Sequence, residues 1–288
     1  MDNLLQISLS QQLSGLLLAL TVIMVWTGKC IDIRRKSIPL WLPIYVAALS
    51  VSYINGQIQL AGLLWACLLA LSCLAYVKKI YPIISYGLIV ILPFLMATHM
   101  LPGYNNLALF KELQISGDAV NYSMYLNIDK ISAGILLFWF LFTNEQRQVF
   151  KRVIIKKTLP VFVLTSLLVF SVASLSLIKI DVKLISIFPI FFLSTILFTS
   201  MTEEAYFRGV VQNKLMTINA SMAILVSALL FALAHFGTGR IDYILVAMLA
   251  GFGYALVYYR TGSVGASIIS HGLLNSVHFI FFTFPYLR

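Results

Sequence analysis

Acidic, basic and imidazole side chains interrupt three apolar stretches of this chain between residues 200 and 280. The clusters contain Glu203, Glu204 and Arg208, then His235, then His271 and Asn275. A charged side chain in the middle of a membrane costs about 2.5–3.5 kcal/mol on insertion scales, so such residues indicate a functional site. A carboxylate that faces an imidazole can bind and activate a water molecule by general acid–base catalysis.

Helix geometry predicts different roles for the two adjacent glutamates. Glu204 and Arg208 are four residues apart, which is the spacing of an ion pair on one helix face. Glu203 points about 100° away from that face, because a helix turns once in 3.6 residues. The same four-residue spacing places His271 and Asn275 on one face of the last helix. We therefore expect one carboxylate to be held in a structural ion pair and the other to be available for catalysis.

The lengths of two neighbouring helices connect the first two clusters. If the chain turns near Asn219, Glu203 lies 16 residues before the turn and His235 lies 16 residues after it. At about 1.5 Å per residue, both lie about 24 Å from the turn, at matched depth on antiparallel helices. Small residues on the next helix would let backbones approach closely; they are Ala247, Gly251 and Ala255.

The elements that must position these residues are apolar helices. Of 288 residues, 60% are hydrophobic and 10% are charged, against about 45–50% and about 25% in soluble domains. A bilayer core requires about 20 apolar residues of helix. Ten such runs lie near residues 9–28, 37–54, 58–77, 80–101, 127–143, 158–178, 184–201, 219–237, 241–259 and 263–283. The predicted fold is all-α, a polytopic transmembrane helix bundle of about eight to ten spans.

Basic residues predict the topology and a division of the chain. The net charge of +10 comes from Lys and Arg spread between the apolar runs, so no nucleic-acid partner is expected. The positive-inside rule favours an outside amino terminus, with the basic groups at 29–36 and 147–157 in the cytoplasm. The second group separates residues 1–157, transmembrane helices of unknown role, from residues 158–288, the expected catalytic core.

The three clusters in this order, EExxxR, FxxxH and HxxxN, resemble the CAAX protease and bacteriocin-processing (CPBP) family of intramembrane proteases. The resemblance covers about residues 200–280. It implies that Glu203 is the general base, assisted by His235, and that His271 and Asn275 stabilise the oxyanion. Glu204 and Arg208 would position the site. The implied reaction is hydrolysis of a peptide bond in a membrane-associated or lipidated peptide or protein.

The resemblance also sets expectations about cofactors, partners and location. No metal is expected to be required; the alternative is a zinc site formed by Glu203, His235 and His271. The expected partners are the lipid bilayer and a peptide or lipidated-protein substrate, in an integral protein of the bacterial cytoplasmic (inner) membrane.

Two other functions use the same polar residues. One is a non-enzymatic immunity or peptide-binding membrane protein. The other is a proton-coupled transporter, which the absence of an inverted repeat in the sequence disfavours.

Overall fold

All ten predicted apolar runs form helices in the computed structural model, which describes residues 7–33 and 36–288. In chain order the helices are α1 (Leu9–Thr27), α2 (Trp41–Ile54), α3 (Leu60–Val77), α4 (Pro82–Ala97), α5 (Ile128–Leu141), the short α6 (Asn144–Arg147), α7 (Arg152–Ala173), α8 (188–216), α9 (Ala220–Leu233), α10 (Ile241–Thr261) and α11 (Val264–Phe281).

Short strands form two hairpin-like pairs in this otherwise helical protein. Strand β1 (Cys30–Ile33) pairs antiparallel with β2 (Lys36–Pro39), and β3 (Leu107–Leu113) pairs with β4 (Tyr122–Leu126). Arg34 and Arg35, which contribute to the predicted cytoplasmic charge, lie outside the described residues.

The lengths of the helices confirm the predicted fold class. Six described helical segments are long and apolar enough to cross a membrane: Leu9–Thr27, Leu60–Val77, Arg152–Ala173, Ala220–Thr238, Ile241–Thr261 and Val264–Phe281. Two shorter helices, α2 and α4, are also apolar. The chain is an all-α integral membrane protein, and the six long segments are its clearest spans.

The chain divides into two compact units. The first contains residues 1–111, 123–144 and 197–202, and the second contains residues 112–122, 145–196 and 203–288. All six predicted site residues belong to the second unit. The predicted division at residue 157 concerns the roles of the two parts, and it stays a prediction.

In the first unit, a small polar network joins the segment after α4 to the start of α5. The buried Asp129 carboxylate accepts hydrogen bonds from His99 Nδ1 at 2.6 Å and from Asn106 Nδ2 at 3.1 Å. Asn106 Oδ1 accepts from the backbone N–H of Ile128 at 2.9 Å. These bonds satisfy polar groups at the amino-terminal end of α5, where a helix leaves its first N–H groups without partners.

In the second unit, small residues allow close helix packing around an apolar core. The buried members of this core are Val169, Phe207, Phe231, Ala247, Ala250, Tyr254 and Leu274. A Cβ atom on Gly251 would lie 2.9 Å from Cδ1 of Phe231, so only glycine lets that ring lie where it does. Gly253 similarly accommodates Thr165 of α7. Gly251 of α10 thus makes room for a side chain of α9, whereas the predicted close approach of helix backbones along α10 stays a prediction.

Candidate active site

Helix α8 changes its winding on both sides of the two glutamates. It contains π-helical segments at Thr195–Ser200 and Ala205–Gln212, and only Met201–Glu204 lies between them in α conformation. At the end of the second segment, the backbone N–H of Asn213 donates to the carbonyl of Arg208, five residues earlier. A π-helix holds more residues per turn than an α-helix and occurs frequently at functional sites.

Glu204 and Arg208 form the ion pair that their spacing predicts. Arg208 Nε donates to Glu204 Oε2 at 2.7 Å, and both side chains are fully buried. Arg208 Nη1 donates to Ser227 Oγ on α9 at 2.6 Å, and Ser227 Oγ donates to the carbonyl of Phe207 at 3.0 Å. Buried charges are expensive unless they are paired and hydrogen-bonded, and these bonds offset part of that cost.

His271 of α11 lies against both glutamates. Its Nδ1 is 3.1 Å from Glu204 Oε1, and its Nε2 is 3.9 Å from Glu203 Oε2. Glu204 is the carboxylate of the ion pair with Arg208, and a carboxylate only accepts. Nδ1 of His271 is therefore the donor in its bond to Glu204, and Nε2 is the ring atom directed towards Glu203.

Two aromatic side chains fix the plane of the His271 ring. Tyr254 stacks on it, with centroids 4.6 Å apart and an interplanar angle of 14°. Phe231 meets it edge-on, with centroids 5.5 Å apart and an angle of 75°. Phe231 belongs to the FxxxH motif of the sequence, whereas Tyr254 lies outside all three motifs. A large aromatic residue among the small residues of α10 was the available signal.

His235 lies at the carboxy-terminal end of α9, immediately before the 3-10 turn Phe236–Thr238. Its Nδ1 is 2.8 Å from the carbonyl oxygen of Phe231, and because a carbonyl only accepts, Nδ1 carries the proton. The ring lies 4.9 Å from that of Phe231 and 5.9 Å from that of Tyr243. Phe231 thus contacts both imidazoles of the predicted site. The predicted pairing of Glu203 with His235 remains a prediction.

Asn275 follows His271 by one turn of α11 and is half-buried. Its amide makes no hydrogen bond with any residue that the structure describes. Because four residues are about one helical turn, Asn275 lies on the same side of α11 as His271.

The alternative zinc site requires three ligands within reach of one ion. Within residues 7–33 and 36–288, no three His, Cys, Asp or Glu side chains lie close enough together to hold a metal ion. The set of Glu203, His235 and His271 is therefore not arranged as a ligand set in this structure, and no catalytic step is assigned to a metal.

The fold and the site together define a polytopic membrane protein with a buried cluster of carboxylate, guanidinium and imidazole groups. Residues 184–277, which include all six predicted site residues, match the family described as Type II CAAX prenyl endopeptidase Rce1-like. This match confirms the resemblance to the CAAX protease family over residues 184–277. The comparisons with curated proteins and with solved structures gave no match.

Proposed function

We propose that this protein is an intramembrane endopeptidase that hydrolyses a peptide bond in a membrane-associated or lipidated peptide. The observation that carries the proposal is the 3.9 Å gap between Glu203 Oε2 and His271 Nε2, next to the buried Glu204–Arg208 pair. That gap is too long for a hydrogen bond, but one oxygen atom can lie at about 2.8 Å from both groups. The family match to endopeptidases supports the same reaction.

The proposed reaction begins with a water molecule at Glu203. Glu203 takes a proton from the water, and the water oxygen bonds to the carbonyl carbon of the peptide. The carbonyl oxygen becomes an oxyanion, which accepts hydrogen bonds from the Asn275 amide and from Nε2 of His271. Because Nδ1 of His271 already donates to Glu204, this role requires the imidazolium form, with a proton on each ring nitrogen. When the C–N bond breaks, the proton held by Glu203 passes to the leaving amine. Peptide and water thus become a carboxylic acid and an amine.

The remaining site residues assist this reaction. Nδ1 of His235 is bound to the Phe231 carbonyl, which leaves Nε2 to help transfer protons to and from Glu203. Glu204 and Arg208 hold His271 in position from the side opposite the reacting atoms. We place the enzyme in a bacterial cytoplasmic membrane, where a lipid-bearing peptide substrate would reach the site from the bilayer.

Loss of cleavage in site variants tests the proposal. Purified protein in lipid vesicles is given an internally quenched peptide that carries a prenyl group and a CAAX ending. Glu203→Gln and His235→Ala should each lower kcat/KM by at least about 10²-fold, because general acid–base catalysis is worth roughly 10²–10⁴-fold. Glu145→Gln, which neutralises an exposed carboxylate on α6, is the control and should cleave as the wild type does. Normal cleavage by both site variants contradicts the proposal.

Two further measurements extend this test. Comparative peptidomics of membranes that contain the wild type or Glu203→Gln identifies natural products of cleavage without an assumed substrate. Metal analysis of the same purified proteins tests the metal-free form of the proposal, with activity expected to survive a chelator. Stoichiometric zinc in the wild type that is lost in His235→Ala would instead support the zinc alternative.

A further inference from the structure

Ser227 lies in the middle of α9, outside the three sequence motifs, and its side chain is fully buried. We infer that Ser227 is a positioning residue: its hydroxyl fixes Arg208 and, through Glu204, the ring of His271. This inference rests on the proposed function, because His271 is the residue that is proposed to stabilise the oxyanion. It adds to the three motifs a residue from a neighbouring helix.

Both hydrogen-bonding roles of the Ser227 hydroxyl are used. Its single proton is donated to the carbonyl of Phe207 at 3.0 Å, and its oxygen accepts from Arg208 Nη1 at 2.6 Å. A hydroxyl that both donates and accepts in this way cannot rotate without breaking a bond. The orientation of Ser227 is thereby set by the backbone of α8.

The guanidinium of Arg208 has few other constraints. Nε donates to Glu204 and Nη1 donates to Ser227, whereas Nη2 has no hydrogen-bond partner among the described residues. The ring of Phe231 lies 5.7 Å from its central carbon. Without the Ser227 hydroxyl, a single hydrogen bond to Glu204 would remain, and the guanidinium could pivot about it.

The bonds continue without interruption to the imidazole. Arg208 Nη1 lies 2.6 Å from Ser227 Oγ, and Arg208 Nε lies 2.7 Å from Glu204 Oε2. The other oxygen of Glu204, Oε1, lies 3.1 Å from Nδ1 of His271. All four side chains are buried, so water does not compete for these bonds. A shift of Arg208 would therefore move Glu204 and change the direction of His271 Nε2.

If Ser227 positions His271, removal of its hydroxyl should lower kcat and leave KM nearly unchanged. Ser227→Ala should lower kcat by about 10- to 100-fold, which corresponds to a lost hydrogen bond to a charged group. KM should stay within about twofold, because the fully buried Ser227 hydroxyl bonds to Arg208 and to the carbonyl of Phe207 and does not face the substrate. Ser227→Thr keeps the hydroxyl and should recover most of the kcat. The matched control is Ser72→Ala, a buried serine of α3 whose one hydrogen bond among the described residues is to the Leu68 carbonyl of its own helix.

A spectroscopic measurement separates this inference from the proposed function. In protein labelled with ¹⁵N-histidine, the Nδ1–H signal of His271, assigned by its loss in His271→Gln, should exchange slowly with solvent. Exchange should become at least about tenfold faster in Ser227→Ala and stay slow in Ser227→Thr and Ser72→Ala. If Ser227→Ala does not fold, Ser227→Cys replaces it, since a thiol of similar size is a poor acceptor.

The outcomes are distinct. If Glu203→Gln still cleaves the prenylated peptide, the proposed function fails, while the exchange measurement continues to test the role of Ser227. If Glu203→Gln is inactive but Ser227→Ala keeps both wild-type kcat and slow exchange, the positioning role is overturned. An equal loss of kcat in Ser227→Thr and Ser227→Ala, with unchanged exchange in both, also overturns it.

Discussion

The adjacent residues Glu203 and Glu204 have different surroundings although they are neighbours in the chain. The Glu204 side chain is fully buried between Arg208 and His271, whereas that of Glu203 is 17% exposed and lies 3.9 Å from Nε2 of the same histidine. Successive residues on a helix point about 100° apart, so one carboxylate can be fixed within the protein while the next stays partly exposed. This difference predicts that the same substitution has different effects at the two positions.

Glu204→Gln should lower the stability of the protein as well as its activity. The substitution leaves the buried Arg208 guanidinium without a counter-charge, which typically costs about 3–5 kcal/mol. Glu203→Gln should abolish cleavage with a much smaller effect on stability, because Glu203 is partly exposed. Thermal unfolding of the detergent-solubilised proteins gives the comparison. Equal midpoints for the two variants would show that the buried pair does not stabilise the fold.

At the scale of elements, a small residue of helix α10 determines where Phe231 can lie. Gly251 lies directly against Phe231, and the ring of Phe231 in turn contacts the rings of His235 and His271. A Cβ at position 251 would lie within 3.2 Å of three atoms of Phe231, which is closer than side chains normally pack. The position of both imidazoles therefore depends on the absence of a side chain on a helix that carries neither of them.

Gly251→Ala should displace Phe231 and lower kcat. Overpacking of this kind typically costs about 1–3 kcal/mol, and the displaced ring can relax only towards the histidines or the core. The matched control is Gly87→Ala in α4, where an added Cβ meets no atom within 4 Å and where activity should be unchanged. The peptide cleavage assay compares the two variants. Wild-type activity in Gly251→Ala would show that the site tolerates movement of Phe231.

At the scale of the whole molecule, the distribution of basic residues predicts the orientation in the membrane. Residues 147–157 should face the cytoplasm and the long segment at 102–126 should face outside, because basic loops are retained inside. Both Lys151 and Asn105 are exposed, so each can report its side as a single cysteine in a chain without Cys30, Cys67 and Cys73.

A membrane-impermeant thiol reagent applied to intact cells should label Asn105→Cys and leave Lys151→Cys unmodified. Lysed cells should give labelling at both positions, which controls for reactivity. Labelling of Lys151→Cys alone in intact cells would mean that the chain is inverted. Labelling of both would mean that the number of spans between them is even.

The amino-acid sequence by itself was sufficient for the helices and for contacts within one helix. Ten apolar runs became helices, because a backbone in lipid must satisfy its own hydrogen bonds. The chain turned at Asn219, which caps α9 by accepting from the backbone N–H of Met222. The Glu204–Arg208 pair followed from four-residue spacing alone.

Tertiary structure alone decided which helices meet at the site. His271 is 67 residues from Glu204 in the chain, and Tyr254 and Ser227 lie on two further helices. The spacing of residues in the sequence predicts which side chains share one face of a helix. Which neighbouring helix that face meets depends on packing between side chains that are far apart in the chain. The two π-helical segments of α8 also change the direction of its side chains in a way that a period of 3.6 residues does not describe. For this reason, the sequence supplied candidate residues for the site, whereas packing determined which imidazole lies against the two glutamates and brought Tyr254 and Ser227 to them.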